Sequence, residues 1–313
     1  GLVIGGVVTD WIGWEWIFLI NVPITAVALL LAPVLLQGCR DAAASRRLDL
    51  PGAVTATAGL VLLVYGLTRS EEAGFRETAG ALVLGLAFLG IFLFIQRRVE
   101  DPLVPFKIFR SRSLVGANLA AFANTATTSS VGVLVTIYLQ DVRRYSPTSA
   151  GFAGLPFSLL VVVGSFLGSR MADRIGTRYT MAAGLAGISI STLLVTGISA
   201  DRGLGLVLAN AALTGVCLGC SAVASTAAGT SAARADEQGL VSGLLNTAAQ
   251  IGTAMGLAAL FTIAAARTDA LSGGAKPTDE ALVAGYHWAF YAGAGVAALG
   301  VVCALLLVRE KSI

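Results

Sequence analysis

The chain has 313 residues, of which 56% are hydrophobic and only 12% charged, with a net charge of +3 and a mean hydropathy of +0.82. A soluble domain carries about twice that charged share, so a water-soluble globular protein is excluded. The basic residues stand in loops, where they read as topology signals, so the pI of 8.8 does not imply a nucleic-acid partner.

Charge placement marks the elements. Nine charge-free spans run over 16–39, 50–68, 78–96, 113–140, 145–169, 179–200, 203–233, 238–266 and 281–308, each at least 19 residues long. A helix needs about 18 or more apolar residues to cross a bilayer, and transmembrane barrels would instead show alternating segments of about ten. The expected fold is therefore all-α: a polytopic transmembrane helix bundle of about nine full helices plus the end of a tenth, in contact with the lipid bilayer.

The chain opens GLVIGGVVTDWIGWEWIFLINVP, an apolar run with nine residues before Asp10. It reads as the second half of a span whose first half would lie upstream. It lacks the basic start and small-residue cleavage site of a signal peptide. Asp49 before Leu50 and Pro51 has the form of a helix N-cap with proline in the first turn. The segment RRVEDPLVPFKIFRSR, 97–112, cannot form one straight helix because of its two prolines. With Phe106, Ile108 and Phe109 set among basic residues, it reads as a connector lying on the membrane surface. It separates a helix pair from the six spans that follow.

Summed over alternate loops, Lys and Arg number 14 on one side and 7 on the other. That asymmetry places the first set and the C-terminus in the cytoplasm. Trp11, Trp14, Trp16 and Trp288, with Tyr138, Tyr145 and Tyr286, then all fall at the outer face, where amphipathic rings suit the headgroup layer.

Of the four cysteines, Cys217, Cys220 and Cys303 lie well inside spans, unlike an extracellular disulfide framework, and Cys39 ends one. The C-x-x-C of Cys217 and Cys220 has no nearby histidine or acid and reads as small buried packing residues. No ionisable group lies deep in a complete span, and no acid–base or metal-ligand cluster occurs, which argues against an enzyme and calls for no cofactor.

Uncharged polar stripes remain. One runs Asn210, Thr214, Cys217, Ser221, Ser225 along one helix face; a second runs Ser242, Asn246, Gln250, Thr253. A third gathers Asn118, Asn124, Thr125, Thr127, Thr128, Ser129 and Ser130. Such stripes either line a polar cavity for a mostly apolar solute or hydrogen-bond one helix to the next. Gly252-x-x-x-Gly256 and Gly164-x-x-x-Gly168 fit close helix packing. The turn GSRMADRIGTRYT, 168–180, is either an ordinary charged turn or a contact that holds two helices together in one conformation and releases them in another.

That turn resembles the loop motif of the major facilitator superfamily, G-x-x-x-D-[RK]-x-G-x-[RK], carried by Gly168 or Ser169 with Asp173, Arg174, Gly176 and Arg178. The opening is similar to the antiporter signature G-P-x-x-G-G of the fifth helix, matched by Gly1, Gly5 and Gly6, with Leu2 where proline is expected. TDWIGWEWIFLINVP, DPLVPFKIFRSRS followed by GANL, YLQDVRRYSPTSAGFAGLP and GLVSGLLNTAAQIGTAMG resemble the fourteen-helix drug:proton antiporter branch. The resemblance implies that 1–39 is the end of an N-terminal bundle (half of helix five, helix six) and 40–96 an inserted pair. It makes 97–112 the cytoplasmic connector and 113–313 the C-terminal six-helix bundle. Helices one to four, with the family's coupling carboxylate and arginine, would be absent from this stretch.

It further implies a secondary active transporter in a bacterial cytoplasmic membrane, with proton-coupled export of drugs or other amphipathic compounds. The alternatives are metabolite uptake by the same fold, or a non-transporting truncated remnant. Asn124, Thr128, Thr214, Ser221 and Ser225 would bind the solute. Gly168, Asp173, Arg174, Gly176 and Arg178 would form the conformational-switch loop. Gly1, Gly5, Gly6, Asn246, Gln250, Gly252 and Gly256 would serve helix packing or gating.

Overall fold

The structure, a computed structural model, describes residues 2–35, 49–73, 75–99, 108, 110–231, 233 and 237–308. Gly1, Cys39 and most of the connector (100–107 and 109) lie outside the described residues.

Among the described residues there is no strand, and each charge-free span coincides with a helical segment. The opening forms α1 (Leu2–Trp11), a short α2 (Trp16–Leu19) and α3 (Asn21–Leu35). Next come α4 (Leu50–Ala73) and α5 (Phe75–Gln96), packed on each other. The remainder is α6 (Arg112–Ile137), α7 (Pro147–Ala153), α8 (Leu155–Leu194), α9 (Leu204–Ser231), α10 (Gln238–Ser272) and α11 (Asp279–Leu307). Among the described residues, seven segments are long and apolar enough to cross a membrane, and one of them, Pro147–Gly197, contains two passes joined at Gly176.

Local chemistry sets the ends. Ser111 caps α6, its side chain accepting from the Leu114 amide at 3.4 Å. Ser146 caps α7 with Pro147 in the first turn, and Thr278 caps α11 ahead of Asp279 and Glu280, where negative charge favours the positive helix end. Asp49 caps α4: its Oδ1 accepts from the Gly52 amide at 2.9 Å. Its Oδ2 accepts from Gln96 Nε2 at the far end of α5, so one carboxylate both starts the pair and clasps it.

The six-helix portion carries an apolar cluster at each end. One gathers Leu134, Tyr138, Leu139, Ile198, Val207, Tyr286 and Phe290. The other gathers Leu114, Met181, Leu185, Val241, Leu245 and Val308, with the connector's Ile108 packed beneath. Between them the contacts are polar or between small residues. A Cβ on Gly252 or Gly256 would collide with the α6 backbone at Phe122 or Ala126. One on Gly164 or Gly168 would collide with α9 at Val216 or Cys220. Cys220 Sγ donates to Gly164 O at 3.2 Å, and Cys217 abuts Gly187, so this C-x-x-C sits in a small-residue helix seam.

The tryptophans are exposed at one end of the bundle, Trp11 at 82% and Trp288 at 55%. Tyr138 and Tyr286, expected beside them in the headgroup layer, are instead buried. Tyr138 continues the α6 geometry, its amide bonded to Leu134 O, and opens a π-helical turn over Tyr138–Val142; its hydroxyl donates to Ser199 O (2.8 Å) and Arg202 O (3.2 Å). The two backbone acceptors satisfy the phenol, which lets the ring close the bundle end rather than face lipid.

Candidate functional site

The polar residues that the helix period aligns are sorted by their neighbours into bundle ties and cavity wall. Thr127 Oγ1 donates to Gly293 O (3.0 Å), Ser189 Oγ to Ala294 O (2.9 Å), and Thr125 Oγ1 to Ala249 O (2.6 Å). Asn210 Nδ2 donates to Ser191 O at 2.8 Å, and the Ser191 and Thr214 hydroxyls share a bond of 2.7 Å. These bonds join α6, α8, α9, α10 and α11 at mid-height, where an unpaired polar group in hydrocarbon would be costly.

Beside this belt lies a cavity of about 670 Å³, walled by α1, α6 and the turn after it, α7, both ends of α8, and α9. That volume is drug-sized. Its wall is apolar with neutral polar groups, and none of the lining residues is ionisable. Thr128 and Thr214 line it, and so do Gly5, Gly6 and Thr9 of α1. Four lining residues recur every fourth position: Thr128, Gly132 and Thr136 along α6, and Gln140 in the π-helical turn that follows it. A Cβ on Gly132 would meet nothing within 4 Å.

A second cavity of about 280 Å³ lies between α6, α9 and α10 and is lined by Asn124, Ser225 and Asn246 among others. Thr125 and Leu218 belong to both walls. Ser221 is fully buried and faces Asn124, whose Nδ2 donates to its Oγ at 3.0 Å. Gln250 is exposed on α10.

In the 168–180 turn the helix continues from Gly168 to Ile175 and breaks only at Gly176, with φ 85° and ψ 162°. A side chain at that φ would be strained. Asp173 and Arg174 are exposed, and among the described residues no ion pair joins them. Arg178 places its guanidinium 5.5 Å from the Tyr179 ring centre, and its Nε is buried without a partner.

The cavity, mostly apolar with a few neutral polar groups, sits in a bundle of helices long and apolar enough to cross a membrane. The chain belongs to the Major Facilitator Superfamily, whose model matches it over residues 1–257 and again over 117–312. It is 31% identical to the puromycin resistance protein pur8 of Streptomyces alboniger, over 100% of this chain and 64% of that protein. It is 34% identical to the cephamycin export protein CmcT of Amycolatopsis lactamdurans, over 86% of this chain and 56% of the relative. The tetracenomycin C resistance and export protein of Streptomyces glaucescens is 30% identical, over 85% and 50%. The chain thus spans between half and just under two thirds of these relatives' lengths.

Proposed function

We propose that the chain is part of an exporter of drugs or other amphipathic compounds, driven by the proton gradient across a bacterial cytoplasmic membrane, with the C-terminus cytoplasmic. The observation that carries this is the cavity of about 670 Å³ with its uncharged, mostly apolar wall. Such a wall accepts varied lipophilic bodies and orients them by a few hydrogen bonds. The export and resistance functions named for the relatives support the same direction.

In this reading residues 1–39 belong to an N-terminal bundle, 40–96 to an inserted pair, 97–112 to the cytoplasmic connector and 113–313 to the C-terminal bundle. The contact of α1 with α7 is then a contact between bundles, and solute sites lie at such repeat interfaces. Thr128 and Thr214 contact solute, with Asn124 and Ser225 in the adjoining cavity and Ser221 holding Asn124. The 168–180 turn works as a switch between the two arrangements.

The test is radiolabelled puromycin accumulation in drug-sensitive cells producing the protein. Producing cells should retain less label than vector controls, and a protonophore should abolish the difference. Equal retention with and without the protein would remove the export reading. A difference that persists in the protonophore would remove the proton coupling.

A further inference from the structure

One cation stands where the bundle gives it no counter-charge. Arg267 lies just past the charge-free span 238–266 and still inside α10. Its guanidinium sits over the Trp288 ring of α11, 5.8 Å from the ring centre, and both side chains are exposed. Among the described residues, no ion pair or hydrogen bond engages that guanidinium. Positions three and four residues from Arg267 on α10, and from Trp288 on α11, hold no acid. Asp269, two residues on, stands on the opposite side of the helix and does not pair with it. The cation–π contact uses the charge and leaves the N–H donors unspent.

The surface below this pair suits an acyl chain. Trp288, Tyr291, Gly295, Leu299, Val302 and Leu306 are all exposed, in steps of three and four down α11. The Trp288 indole N–H and the Tyr291 hydroxyl have no hydrogen-bond partner among the described residues. A Cβ on Gly295 would meet nothing within 4 Å, so the strip is open there. The stretch from Tyr291 to Leu299 rises about 12 Å, close to the depth of one leaflet's hydrocarbon, about 15 Å. We propose that Arg267 and Trp288 bind the phosphate of an anionic phospholipid, with Tyr291 donating to its ester region and one acyl chain along Gly295 and Leu299. A zwitterionic lipid brings its own ammonium to its phosphate, whereas an anionic one leaves a net charge that Arg267 neutralises. Free phosphate would meet the cation and leave the apolar strip uncovered. None of these residues lines the main cavity, so the inference stands apart from the transport reading.

The experiment places the full chain in phosphatidylcholine vesicles containing brominated phosphatidylglycerol and reads tryptophan quenching. Trp11→Phe, Trp14→Phe and Trp16→Phe together leave Trp288 as the only tryptophan. Compared with brominated phosphatidylcholine at equal mole fraction, phosphatidylglycerol should be preferred about fivefold, the scale of one arginine at a charged headgroup. Arg267→Gln should remove the preference, and Lys276→Gln in the neighbouring exposed turn should keep it. Absence of a preference, or one that survives Arg267→Gln, overturns the site. Equal loss in both variants assigns the effect to general surface charge and overturns it too. Loss of the preference in excess soluble glycerol phosphate would mean that the pair takes free phosphate, which overturns the lipid assignment. If the single-tryptophan chain fails to fold, native mass spectrometry decides instead: the unsubstituted chain should retain phosphatidylglycerol over phosphatidylcholine, and Arg267→Gln should not.

Discussion

The Asp10 carboxylate at the end of α1 accepts a hydrogen bond of 3.0 Å from the Thr148 amide in the first turn of α7. Just beneath it, the Thr148 hydroxyl donates to Gly6 O at 3.4 Å, and a Cβ on Gly6 would collide with Pro147 O. The opening helix is thus held against α7 by one carboxylate and one missing side chain. Asp10→Ala should speed hydrogen exchange at the Thr148 amide by about tenfold, matching the loss of one hydrogen bond. The Ala150 amide, bonded to Ser146 O within α7, should keep its rate. Equal acceleration at both would mean that α7 opens as a unit and that Asp10 does not protect Thr148 specifically.

A carboxylate with two jobs holds the α4–α5 pair. Asp49→Ala removes the α4 cap and the clasp to Gln96 together, and should lower stability by about 1–2 kcal/mol. Gln96→Leu removes the clasp and keeps the α4 cap, and should cost less. In the double variant the two losses should not add, because they share one bond. Thermal melting of the purified protein reads this directly; strict additivity would show that Asp49 and Gln96 act independently.

The break in α8 depends on one residue. Gly176→Ala forces a Cβ into φ 85° and should cost about 1–2 kcal/mol. Gly168→Ala acts instead through collision with the α9 backbone at Cys220, so it should loosen the α8–α9 seam and speed amide hydrogen exchange there, while Gly176→Ala should leave that exchange unchanged. Equal acceleration along the seam in both variants would assign the Gly176 effect to packing instead of backbone strain.

Asp173 is exposed and unpaired among the described residues, so Asp173→Asn should leave stability and puromycin affinity unchanged. If the turn is a switch, the substitution should slow puromycin efflux by about tenfold, one ion pair or charged hydrogen bond made in another conformation. Efflux at the unsubstituted rate would make it an ordinary turn.

Most of the fold was legible because hydrocarbon excludes charge: every uninterrupted apolar span became a helix. The fates of individual polar residues were not, because helix period aligns a face without saying what that face meets. Thr214 and Ser221 share a stripe, yet Thr214 lines the main cavity while Ser221 lies behind Asn124. Gln140 escaped notice although Thr128, Gly132, Thr136 and Gln140 keep one period; the stripe of hydroxyls seemed to end at Ser130. Tyr138 turned inward because the Ser199 and Arg202 carbonyls supplied what headgroups otherwise would, and Tyr286 packs into the same apolar cluster; neither contact can be seen in a linear pattern. The wall contributed by Gly5, Gly6 and Thr9 required knowing that α1 meets α7.

The most direct test of the central claim, that the main cavity is where solute is carried, is puromycin efflux by Gly132→Trp. Gly132 is exposed on the cavity wall with open space beyond its Cα, so an indole there should fill the cavity without disturbing helix packing. Efflux should fall to the vector level while expression and melting temperature stay at those of the unsubstituted protein. Undiminished efflux from a well-folded Gly132→Trp protein would contradict the assignment.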